Sequence, residues 1–93
     1  MSDRDEFVGR VRGLLISLSG TLSAEEGAEV EHLIEHDEVG EALRTLAWII
    51  VEEDKRISQQ AYDAIRELSA SLVAEEHMPR DLSAYIAPGA LPP

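Results

Sequence analysis

Apolar positions recur with a helical period along almost the whole chain. Phe7, Val11, Leu14, Leu15 and Leu18 follow the spacing i, i+4, i+7, i+8, i+11, which predicts a helix over roughly Asp3 to Ser19. Gly20 stands where helices favour a stop, and Thr21 and Leu22 make the connection. Ser23 and Glu26 are spaced as a capping box, so a second helix begins there. Its apolar stripe is thin: Ala24, Val30, Leu33 and Ile34, with Gly27 and Ala28 permitting close approach. Asp37 is read as the break and as a candidate cap for the next helix.

The third segment, Asp37 to Asp54, carries the broadest apolar arc. At about 100° per residue Val39, Leu43, Leu46 and Ile50 fall on one line, widened by Ala42, Ala47 and Ile49. An arc that wide belongs to a helix with neighbours on more than one side. Lys55 to Ile57 form a link, and Ser58 is a plausible N-cap for a fourth helix. That helix is expected to run to about Glu75 or His77, with Tyr62, Ile65, Leu68, Leu72 and Val73 inward and Pro79 ending it. Arg80 to Ile86 reads as one more short turn or helix, and residues 87–93 as a Pro/Gly-rich tail that frays. There is no strand pattern, no internal repeat and no Gly-rich phosphate loop. Short connections favour antiparallel neighbours. The expected architecture is all-α: one domain over residues 1–86, a small antiparallel four-helix bundle with room for a short fifth C-terminal helix.

Composition narrows the class. A chain of 93 residues buries roughly 60–65% of its unfolded surface and folds without staples. It has no cysteine, hence no disulfide framework and no thiolate metal site. The acidic start, MSDRDEF, lacks the basic and apolar regions of a signal peptide. The longest apolar run, Leu46 to Val51, is far short of the ~20 residues a spanning helix needs. The expectation is a cytoplasmic protein.

Charge then changes the picture. The net charge is −11. Residues 1–20 balance to zero, residues 55–93 to −1, and residues 21–54 set eleven acids against Arg44 alone, a balance of −10. A field so placed repels nucleic acid and anionic membrane and attracts cationic proteins. Glu38 and Glu41 sit in the first turn of the third helix, where negative charge favours the dipole. Glu52, Glu53 and Asp54 sit in the last, where each costs roughly 0.3–1 kcal/mol if exposed. Three carboxylates at the unfavourable end suggest a use beyond the helix, with a solvated surface as the plain alternative. Trp48 points nearly opposite Val39 and Ile50, on the side of Glu41, Arg44, Thr45 and Glu52. An outward tryptophan among charges suits a binding hot spot. Cover by a neighbouring helix or the C-terminal segment, or stacking with Arg44, are the alternatives.

Catalytic constellations are weak. His32-Leu33-Ile34-Glu35-His36 fits the inverted zincin pattern H-x-x-E-H, but catalytic zinc also needs a third ligand and an open position in a cleft. Two surface histidines beside acids explain it as well. There is no nucleophile elbow, no marked carboxylate pair and no cofactor motif, so no enzyme activity, metal or cofactor is expected. Asp81-Leu82-Ser83 only scrambles the Asp-Ser-Leu of acyl carrier proteins.

Gly40-Glu41-Ala42-Leu43, Leu46, Glu52 and Asp54, followed by Ile57-Ser58, Tyr62, Ile65 and Leu68, resemble the immunity proteins of the Maf polymorphic-toxin systems. The resemblance covers roughly residues 33–70 and departs at Trp48, where a polar residue is expected, and at Arg56, where proline is common. It implies a small intracellular protein that binds and neutralises a cognate toxin, often a nuclease. A basic nuclease cleft suits an acidic helical face. The expected partner-binding residues are Glu25, Glu29, Glu35, Glu38, Glu41, Glu52, Glu53 and Asp54 for the field, with Arg44 and Trp48 as the anchor. The partner is then a basic toxin domain and the free protein a monomer. The alternative is a small acidic adaptor or regulatory module with another partner.

Overall fold

The computed structural model describes residues 3–87. Four helices follow one another: α1 (Asp3–Ser17), α2 (Ala24–Glu35), α3 (Val39–Glu52) and α4 (Gln59–Leu72). Two 3₁₀ turns, Glu75–His77 and Leu82–Tyr85, close the described chain. Short connections turn each helix back on the one before it, giving a small all-α four-helix bundle. The expected fold class is the one observed.

α3 is the hub. It packs on α1, α2, α4 and the Leu82–Tyr85 turn. Ala42, Leu43, Leu46, Ala47 and Ile50 are fully buried, and Val39 nearly so. Val11, Leu14 and Leu18 of α1, Val30 and Ile34 of α2, and Ala61, Ile65 and Leu68 of α4 close around them. No polar or charged side chain is buried among the described residues. Leu22, read as connection, is itself core.

The starts of α2 and α4 form as the local sequence requires. The Ser23 hydroxyl accepts from the Glu26 N–H at 3.1 Å, and Glu26 Oε1 accepts from the Ser23 N–H at 2.8 Å. The Ser58 hydroxyl accepts from the Ala61 N–H at 3.0 Å. Glu26 does a second job, because Lys55 Nζ lies 3.0 Å from its carboxylate. That pair ties the start of α2 to the segment leaving α3. The Ser23 N–H first, and then Lys55, hold the Glu26 carboxyl below its ordinary range.

The ends of α2 and α3 share one device. Asp37 (φ 66°) and Asp54 (φ 53°) are left-handed. After α2, the Glu38 N–H bonds to the Leu33 carbonyl (2.9 Å) and the Asp37 N–H to the Ile34 carbonyl (3.1 Å). After α3, the Lys55 N–H bonds to the Ile50 carbonyl (2.9 Å) and the Asp54 N–H to the Val51 carbonyl (3.3 Å). Both are Schellman stops, with aspartate where glycine is usual. Asp37 therefore ends α2 rather than capping α3. The N-cap of α3 is Glu38, without a side-chain capping bond.

α4 stops at Leu72, earlier than Pro79 led us to expect. Val73 is extended (φ −135°, ψ 139°), and the chain doubles back over the bundle. The apolar side chains decide this: Met78 and Leu82 pack against the core, and Pro79 is buried. A continued helix would carry them into water. Among the described residues, the returning segment is pinned by a parallel bridge between Ile57 and Ile86. There the Ile57 N–H donates to the Tyr85 carbonyl (3.0 Å) and the Ala87 N–H to the Ile57 carbonyl (2.6 Å). Ala87, expected to fray, is held by that bond, and the rest of the expected tail lies outside the described residues.

Gly40 sits where α3 meets the end of α4. A Cβ there would stand 2.7 Å from the Leu72 carbonyl oxygen, whereas one at Gly13 meets nothing within 4 Å. Helix propensity favours Ala over Gly by about 1 kcal/mol at either site. Overpacking against backbone costs about 1–3 kcal/mol. Gly13→Ala should therefore raise the urea midpoint and Gly40→Ala lower it, read by circular dichroism. The depressed Glu26 carboxyl contributes stability that is present above its unfolded pKa and lost as pH falls through the lower folded one. Glu26→Gln should flatten the acid limb of a stability–pH curve, and an unchanged limb would remove this pair from the account.

Candidate functional site

The α2–α3 hairpin carries most of the surplus charge, and its antiparallel turn decides which carboxylates meet. The start of α2, with Glu25 and Glu29, lies beside the end of α3, with Glu52 and Glu53, as the Lys55–Glu26 pair shows. Glu35 and Glu38 stand toward the opposite end, Glu35 about 9–15 Å along α2 from Glu29 and Glu25 and Glu38 about 20 Å along α3 from Glu52 by helical rise. Glu35 also falls about 120° around α2 from Glu29. The expected continuous acidic face is thus divided in two.

Arginines remove two more of the expected members. Glu41 is bonded by Arg44 from one turn on (3.1 Å and 3.3 Å). Asp54 lies 3.4 Å from Arg56 and holds the left-handed stop of α3. Its place at the unfavourable end of the helix has a structural cause, since aspartate tolerates that backbone. Glu25, Glu29, Glu35, Glu38, Glu52 and Glu53 are exposed and make no side-chain bond among the described residues.

Trp48 lies between the two alternatives offered for it. Its indole N–H donates to the His77 carbonyl at 2.9 Å, so the C-terminal turn covers one edge. The residue keeps 37% exposure, so part of the ring is open to water. It does not stack with Arg44, whose guanidinium goes to Glu41. The aromatic–cation pairs are instead Arg56 over Tyr85 and Arg66 over Tyr62.

Around the open part of Trp48 lies a shallow depression of about 470 Å³. Glu29 comes from α2, and Arg44, Thr45, Trp48, Ile49 and Glu52 from α3. Four of the ten expected residues meet here: Glu29, Arg44, Trp48 and Glu52. Glu41 touches the group through Arg44, and Glu25 stands one turn before Glu29. Thr45 and Ile49 were not among the expected contacts. The spacing 41, 45, 48, 52 could have added Thr45, while Ile49 had been assigned to the core side. The arrangement offers an apolar ring with its polar edge already bonded, flanked by two unpaired carboxylates.

The histidines do not build a comparable site. Their rings lie 4.1 Å apart, and His36 Nδ1 is bonded to the His32 carbonyl oxygen at 2.9 Å. Among the described residues, no three His, Asp or Glu side chains are placed to share a metal ion. No helix is long and apolar enough to cross a membrane.

Asp54 gives a test of structure against function. A non-glycine residue in the left-handed region costs roughly 1–2 kcal/mol. Asp54→Gly should raise stability by up to about that amount in urea denaturation, and a clear loss would show that its pairing with Arg56 outweighs the backbone.

No protein-family model, no curated protein and no solved structure matches this chain.

Proposed function

We propose that the chain is a protein-binding module that seats a cationic protein domain on the outer face of the α2–α3 hairpin, and that this partner is a toxin which it neutralises. The observation that carries the reading is Trp48, half open between the unpaired carboxylates of Glu29 and Glu52. Its N–H is already satisfied by His77, so docking desolvates apolar ring surface without stripping a polar group. The wider field, −10 over residues 21–54, steers a basic partner toward that ring. Such steering lifts association from ~10⁵–10⁶ toward ~10⁸ M⁻¹s⁻¹ or faster at low salt. The likeness of α3 and α4 to Maf immunity proteins points to a toxin as the basic partner, one whose own cleft binds a polyanion. Neutralisation then works by occupation, in the cytoplasm, without catalysis or cofactor.

The division of the carboxylates refines the contact. Glu25, Glu29 and Glu52 act with Trp48 and Arg44 at one end of the hairpin. Glu35 and Glu38 contribute to the long-range field more than to the interface.

The measurement is association of a cognate toxin fragment with the full chain at low and high salt. The on-rate should fall roughly tenfold or more, and a flat response rejects steering. Trp48→Ala should weaken binding by ~2 kcal/mol or more in a variant whose fold is intact by circular dichroism. Unchanged affinity removes the anchor. A partner that binds this face but has no toxic activity would replace the toxin reading with that of an acidic adaptor.

A further inference from the structure

The depression over Trp48 brings three surface chemistries into one small area. Thr45, Trp48, Ile49 and Glu52 share a face of α3 at the spacing i, i+3, i+4, i+7, and Glu29 reaches the same place from α2. Ile49 supplies aliphatic surface and is only partly buried. Trp48 supplies an aromatic ring that is partly open to water. Glu29 and Glu52 supply two exposed carboxylates with no ion pair among the described residues. The cation beside them, Arg44, is engaged by Glu41 at 3.1 Å and 3.3 Å, so its charge is already answered. The charge left over at the depression is negative, that of Glu29 and Glu52.

That set selects its occupant. A neutral apolar group would strip water from two carboxylates without return. An anion would be repelled, both here and by the −10 of residues 21–54. A cation gains from both carboxylates and from the face of the indole, the best aromatic partner for it. Between the two cationic side chains, shape decides. A guanidinium is planar, so it can lie flat on an indole and still donate from its edge to carboxylates, while its aliphatic stem covers Ile49. An ammonium is a strongly hydrated point charge and does not stack.

We infer that the depression receives an arginine side chain of the protein partner, stacked on Trp48 and donating to Glu29 and Glu52. The inference rests on the docking role proposed for this face and names the group that enters it.

The test is nuclear magnetic resonance titration of the ¹⁵N-labelled full chain with acetyl-Gly-Arg-Gly-amide and its lysine and citrulline counterparts, all at one ionic strength. The arginine peptide should shift the Trp48 indole N–H and the amides of Thr45, Ile49 and Glu52 together. The citrulline peptide, of the same shape without the charge, should bind about tenfold more weakly. The lysine peptide should bind about threefold more weakly. Glu29→Gln/Glu52→Gln, both changes at exposed positions, should remove the preference for arginine over citrulline. Trp48→Leu, with the fold checked by circular dichroism, should remove the preference for arginine over lysine. Absence of shifts, or equal affinity for the citrulline peptide, overturns the proposal. Equal affinity for the lysine peptide overturns it too, since the long-range field alone would then account for binding. Should the arginine peptide fail while Trp48→Ala still weakens binding of a toxin fragment, this occupant is rejected and the docking role stands.

Discussion

The fold depends on sealing α3. Five of its side chains have no contact with water, and the helix packs on α1, α2, α4 and the Leu82–Tyr85 turn. Burial of this kind is worth about 25 cal/mol per Å² of apolar surface, and among the described residues no polar side chain is buried to offset it. The closeness of the packing shows at Gly40, where α3 approaches the last carbonyl of α4 too nearly for a side chain. Every other element takes its position from this helix. α2 pairs along one flank and α4 along another, and the C-terminal segment turns back because one side of the bundle still lacks an apolar cover.

That arrangement leaves one face of α3 without a helix over it, and Trp48 stands there. The same event that shortens α4 brings His77 within reach of the indole. Core and candidate site are therefore coupled through a single backbone carbonyl. The ion pairs play a lesser part. Arg4, Arg10 and Arg12 join α1 to the α2–α3 turn, α4 and α2 respectively, yet the first two pairs are solvent-exposed and the third only half-buried. Pairs of that kind contribute about 0–1 kcal/mol each. Their larger effect is on the surface potential, because they decide which carboxylates remain available.

Much of this was legible in the sequence where the cause is local. The Ser23–Glu26 capping box and the Ser58 cap need only residues three apart, and both are present. The breadth of the α3 arc foretold its central place. What sequence could not carry was the effect of distant residues. Pro79 looked like the end of α4, but the end is set by the core's demand for Met78 and Leu82. Asp37 is the break it was read as but not the cap of α3, and Asp54, read as a binding charge, is a left-handed stop like it. Counting carboxylates suggested one acidic face, whereas the hairpin turn divides it and two nearby arginines, Arg44 and Arg56, take up Glu41 and Asp54. At the site, the helical spacing put Trp48 on the side of Arg44, Thr45 and Glu52, while Glu29, brought from α2, and the His77 carbonyl, supplied from 29 residues away, lay beyond it.

The chain has only one tryptophan, and its pyrrole nitrogen is tied to a main-chain oxygen while its benzenoid part looks outward. Nature has in effect supplied a built-in optical probe in the depression on the outer face of α3. Indole emission from this chain comes from one position, so a blue shift reports cover of that ring and a red shift reports release of the 75–77 turn.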